Sequence, residues 1–135
     1  TVEIEKLRQE LQTASKGLLM LSETDAPFEF FYHQPISNEQ FNPDTVALWD
    51  GQESETPVET LPIDKFLFRM QHPPSGADAQ ARALAEQFKL LQDKLQELLQ
   101  EPKAYKIGQV NMPVYLIGRT ESGAYAGLKT VVVET

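Results

Sequence analysis

Nucleophiles, acid–base pairs and metal ligands are scarce in usable spacing along these 135 residues. The two histidines, His33 and His72, stand far apart, each beside a proline-containing loop. Neither has a histidine at i+4, as a helical metal pair requires, so both read as loop or surface residues. Cysteine is absent, which removes thiolate chemistry, disulfides and thiolate metal sites together. No Gly-x-Ser-x-Gly elbow occurs, and Gly118, Gly123 and Gly127 lack the Gly-Lys-Ser/Thr ending of a phosphate loop. Carboxylates are plentiful, with Glu53 near Glu55, Glu23 near Asp25, and Glu134 beside Thr135. Close acids can divide general-acid and general-base roles, but with 20 acidic residues in the chain most belong to a solvated face. The chain is therefore not expected to be an enzyme, to carry a cofactor, or to bind a metal when free. Two acidic groups stand apart by position. The Ser22-Glu-Thr-Asp25 stretch joins a helix to a strand, and Glu134-Thr135 follows directly on an apolar strand that would hold it in a fixed place.

Charge narrows the partners. Twelve basic residues against 20 acidic ones give a net charge of −8. Direct contact with nucleic acid or an anionic membrane needs a basic patch to meet phosphates, so neither is expected. A basic protein surface is the complementary partner. No apolar run approaches the ~18 residues of a membrane span, and no signal peptide is evident. The expectation is a cytoplasmic protein, monomeric when free; its start at Thr1 rather than Met fits a removed leader.

The elements that must position these residues can be read in order. Ile4, Leu7, Leu11, Ala14, Leu18 and Leu21 recur at three and four, predicting an amphipathic helix with an acidic first turn. Phe28–Tyr32 reads as an aromatic strand. Asn42-Pro-Asp44 has the form of an N-cap with Pro at the first helical position, opening a short helix over 42–50 that ends at Gly51. Pro62 opens another, with Ile63, Phe66, Leu67 and Met70 on one face, and His72-Pro-Pro-Ser-Gly76 closes it. The longest helix spans 78–100, with Leu84, Phe88, Leu91, Leu95 and Leu98 as its stripe and Pro102 as its bound. Three β-prone runs complete the chain: Tyr105–Val110, Val114–Ile117 and Leu128–Val133. Turns at Asn111-Met-Pro113 and Glu121-Ser-Gly123 make them a meander, with Pro113 expected only at the opening of its strand. Val114 and Leu116 face one way and Tyr115 and Ile117 the other, so both sheet faces must be covered. These elements predict one α+β domain over 1–135, a three-layer α/β/α sandwich around a central antiparallel sheet.

The residues that carry this pattern also resemble a known family. Ala14-Ser-Lys-Gly-Leu-Leu19, Ser22-Glu23 and Pro27-Phe-Glu29 are similar to the nuclease A inhibitor of cyanobacteria. So are Tyr105-x-x-Gly108-x-Val110, Val114-Tyr115-x-Ile117-Gly118, Ala126-Gly127 and the ending Val132-Val-Glu-Thr135. The resemblance spans the chain, most weakly over 33–80. It implies the same sandwich and a protein that blocks the active site of a sugar-non-specific, Mg-dependent nuclease of the ββα-metal class. It further implies that Thr135 enters the nuclease site near its metal and that Glu23 pairs with an arginine of the enzyme; Asp25 and Glu134, beside them in the chain, are further candidate contacts by their charge. The loop Pro74-Ser-Gly-Ala-Asp78 departs from the family, which has an aromatic residue at that contact. That departure leaves open a second reading, a non-inhibitory module of the same fold for another basic or peptide partner.

Overall fold

Side-chain alternation on the three C-terminal strands decides the architecture, and the computed structural model shows how the rest of the chain answers it. The structure describes residues 2–20, 26–37, 39–53 and 55–133. In chain order the elements are α1 (Val2–Ser15), β1 (Leu19–Met20), β2 (Ala26–Pro27), β3 (Glu29–His33), α2 (Pro43–Trp49) and β4 (Val58–Pro62). They continue as α3 (Ile63–Phe66), α4 (Phe68–Gln71), α5 (Ala79–Leu98), β5 (Gln100–Ile107), β6 (Asn111–Arg119) and β7 (Tyr125–Val133). Five strands form one sheet in the order β3-β7-β6-β5-β4, every neighbouring pair antiparallel, and β1 pairs with β2 in a separate short ribbon. The class is α+β, as expected.

Both faces of β6 are buried, Val114 and Leu116 toward one side and Tyr115 and Ile117 toward the other. The even-numbered side chains meet Leu7 and Leu11 of α1, Phe88, Leu91 and Leu95 of α5, and Ile63 and Phe66 of α3. Each such aliphatic side chain withdrawn from water contributes about 1.5–3 kcal/mol. The odd-numbered side chains, Tyr105, Ile107, Tyr115 and Ile117, pack against Val46 and Ala47 of α2, with Phe31, Phe41 and Trp49 around them. The two faces are thus covered unequally. Long helices lie over one, and a single seven-residue helix with an aromatic cluster lies over the other.

Several boundaries differ from those read in the sequence. Helix α1 stops at Ser15, because Gly17 takes a positive φ of 78° and turns the chain. Leu18 is buried from outside the helix, and Leu21 lies outside the described residues. Side-chain caps open α2 and α5: Asn42 Oδ1, the expected cap, accepts from Thr45 N at 3.1 Å, and Asp78 Oδ1 accepts from Ala81 N at 2.8 Å. The helix predicted from Pro62 breaks at Leu67 into α3 and α4. On α5 the buried stripe runs through Ala85 rather than Leu84, which is exposed. Strand β5 starts at Gln100 and takes in Pro102, leaving Val110 exposed in the turn that follows Gly108. Pro113 sits inside β6 opposite Val131. The β5 ladder begins only at Val114, so a residue without an N–H is accommodated there.

Candidate functional site

Glu23, Asp25, Glu134 and Thr135, the four candidate contact residues, lie outside the described residues. Their described neighbours are well defined. Met20 and Ala26, which border residues 21–25, are paired with each other across the β1–β2 ribbon. Val133, which precedes residues 134 and 135, is paired with Asn111. The two borders belong to one end of the sheet. Strand β2 packs against β7, and the buried Thr130 donates a long hydrogen bond from Oγ1 to the Ala26 carbonyl at 3.5 Å. From Thr130 the strand has about 10 Å to run before Val133.

Other acids gather at this end. Gly108 N donates to the Pro57 carbonyl at 2.8 Å, tying the β5–β6 turn to the loop that carries Glu53 and Glu55. Both glutamates are exposed, and Glu59 on β4 reaches Lys106 at 3.8 Å with most of its side chain in solvent. An exposed pair of that length contributes little to stability. Val110 is 54% exposed in the same turn, an apolar spot within an acidic rim.

One acid near this end is differently placed. Asp50 follows the last residue of α2, and its side chain is only 6% exposed. Tyr115 Oη donates to Asp50 Oδ1 at 2.6 Å, Lys129 Nζ lies 3.2 Å from the same oxygen, and Gln52 Nε2 donates to Oδ2 at 3.1 Å. Burial acts to raise the Asp50 carboxyl. The hydrogen bonds from Tyr115, Gln52 and Lys129, with the Lys129 charge, outweigh it and hold the group below the usual carboxylate range. Burial and the Asp50 carboxylate together push the Tyr115 hydroxyl well above the ordinary tyrosine value. This carboxylate is consumed by its own fold: it fastens α2 to β6 and β7. Sequence reading missed it because its partners lie far along the chain.

The histidines serve aromatic packing. His33 stacks on Trp49 at 4.0 Å between ring centroids, and His72 on Phe68 at 4.1 Å. Phe68 is 56% exposed, so an accessible aromatic ring stands just ahead of the Pro74–Asp78 loop. Among the described residues, no three His, Cys, Asp or Glu side chains are grouped closely enough to hold a metal ion. No described helix is long and apolar enough to cross a membrane.

A family model described as nuclease A inhibitor-like protein matches residues 5–135. Comparison with curated proteins finds no match.

Proposed function

The chain belongs to the nuclease A inhibitor-like family, and from that premise we propose that it binds and blocks the active site of a sugar-non-specific, Mg-dependent nuclease. The match over nearly the whole chain carries the reading. Its physical logic is charge substitution. A nuclease cleft is basic because it holds phosphates, so carboxylates can occupy it in their place. In this proposal Glu23 pairs with an arginine of the nuclease, with Asp25 and Glu134 adding to the negative field. Thr135 enters the cleft toward the metal, where its hydroxyl offers a hard oxygen of the kind that Mg²⁺ accepts. Support comes from the residues bordering these segments. Ala26 and Val133 belong to one end of the sheet, and β7 is hydrogen-bonded to β6 up to Val133.

The test is a set of variants read against both inhibition and melting temperature. Glu23→Ala should weaken inhibition by about 2–5 kcal/mol, because the nuclease arginine is left buried without a partner. A few residues added after Thr135 should weaken it as well, by crowding the cleft, and neither change should lower the melting temperature. An extended chain that inhibits as well as the unextended one would exclude insertion of Thr135. An equal loss of binding and stability in Glu23→Ala would make that residue structural.

A further inference from the structure

At the opposite end of the sheet a groove of about 650 Å³ opens on the second face, beside Asn42 and Pro43 at the start of α2. Its floor is aromatic. Tyr105, Ile117 and Tyr125 are buried beneath it, and Phe41 stacks on Tyr125 with centroids 4.1 Å apart and planes 10° apart. Its rim carries Lys103 and Arg119. The strand register brings these together, since Lys103 lies opposite Ile117 and Arg119 opposite Tyr125, all on the odd-numbered face. Among the described residues neither cation has a carboxylate within ion-pair distance, in a chain of net charge −8. Glu101 also lines the groove, so two positive charges and one negative leave it at +1.

The groove wall is built with a strained backbone. Between Gln100 and Lys103, strand β5 advances three residues while its partner advances two, from Arg119 to Ile117. The extra residue is a β-bulge, and Glu101 within it holds a φ of 49°, the left-handed region that a non-glycine residue seldom occupies. Bulges re-aim side chains, and here the bulge is followed by Lys103 on the rim. Gly118 permits the close approach: a Cβ there would lie 2.9 Å from the Gln100 carbonyl oxygen. Strained backbone, unpaired cations and an apolar floor meet in a concavity of the size that holds small ligands.

We propose that this groove binds a small planar anion, an aromatic ring bearing a phosphate or a carboxylate. The ring lies along Phe41 and the tyrosine floor, and the charge sits between Lys103 and Arg119. Glu101 moderates affinity by like-charge repulsion. Tyr125 is eight residues from Val133, roughly 26 Å along the strand, so this site is separate from the proposed nuclease contact and does not depend on it.

Calorimetric and amide-shift titrations of the full chain test the proposal with four probes: a nucleoside monophosphate, a hydroxybenzoate, inorganic phosphate and the uncharged nucleoside. Saturable binding with Kd below about 1 mM is expected for one or both ring-bearing anions, with shifts centred on Tyr105, Ile117, Gly118 and Tyr125. Which of the two binds identifies the source of the anion. Lys103→Gln, an exposed change, should weaken binding about tenfold, and Glu101→Gln should tighten it several-fold, while Lys89→Gln on α5 should leave it unchanged. Equal binding of inorganic phosphate would remove the ring from the account, and equal binding of the uncharged nucleoside would remove the cations. Either result, shifts centred elsewhere, or no saturation by about 10 mM overturns the proposal.

Discussion

Toward α1 and α5 the sheet contributes Val114, Leu116 and Leu128 to an aliphatic core; toward α2 it contributes Tyr105, Tyr115 and Tyr125. The first face is sealed chiefly by close packing, with few directed contacts such as those of Thr130 and Gln71. The second is organised by directed contacts, with Asp50 receiving Tyr115 and Lys129 while Phe31, Phe41 and Trp49 pack edge or face against the tyrosines. Packing of the first kind is insensitive to pH and is broken by making a cavity. Contacts of the second kind orient a short helix that has little packing area, and they titrate. The difference explains how α2 stays in place with only seven residues and why part of its face remains open as a groove. It also bears on β7, which is fastened from both sides. Thr130 and Val132 are buried toward the helices, and Lys129 is held by Asp50 on the other side.

The change that should disturb both faces at once is Gly127→Ala. Gly127 lies opposite Ile117 and Phe31 with φ 155°, and a Cβ there would collide with the Leu116 carbonyl oxygen. A loss on the order of 4 kcal/mol or failure to fold is expected in denaturant titration. Leu91→Ala, at a fully buried position on the helical face, should cost about 2–5 kcal/mol by leaving a cavity, with an unchanged pH profile. On the aromatic face Asp50→Asn should cost about 1–3 kcal/mol, because the Tyr115 hydroxyl and the Lys129 ammonium lose their carboxylate.

pH separates the two faces further. The Asp50 carboxyl is held below its ordinary 3.8, so its contribution is present above that value and is lost as pH falls through the lowered one. The tyrosines shift the other way. From an ordinary 10.0, burial raises Tyr105 to about 12, and Tyr115 and Tyr125 are raised as well. Their contribution is full below pH 10.0 and fades as pH climbs toward about 12. Melting temperature should therefore fall in strong alkali, with loss of the aromatic near-UV signal, and Asp50→Asn should reduce the acid-side dependence relative to the parent chain. The smallest effect belongs to neither face. Lys89→Ala removes an exposed pair with Glu86 on α5 and should change stability by less than about 0.5 kcal/mol.

Much of the helical face was legible in the sequence, because it depends on short-range repetition. The spacing of Leu7 and Leu11 and the stripe through Phe88, Leu91 and Leu95 are local signals, as is the Asn42 cap of α2 on the other face. Alternation in β6 correctly demanded cover on both sides. Strand β4 went unread because Val58-Glu-Thr-Leu-Pro62 is short, half polar and ends in proline; it becomes a strand only by pairing with β5. The Leu84 expectation failed because spacing locates a stripe only to within a residue, and Ala85 is the position that faces the core. The Asp50–Tyr115–Lys129 cluster and the Lys103–Arg119 groove were invisible for a different reason. Their members come together only through sheet register, which no window along the chain contains. The four proposed contact residues were chosen from charge, position and resemblance, and all of them fall outside the described residues.

In the proposed complex the acidic end of the sheet closes a nuclease active site. The most direct measurement titrates the purified chain into a sugar-non-specific, Mg-dependent nuclease from the same host while following cleavage of both DNA and RNA. Both activities should fall together and reach zero near one equivalent, with slower association as salt is raised from low to physiological strength. Undiminished cleavage of both substrates at many equivalents of the chain would contradict the account.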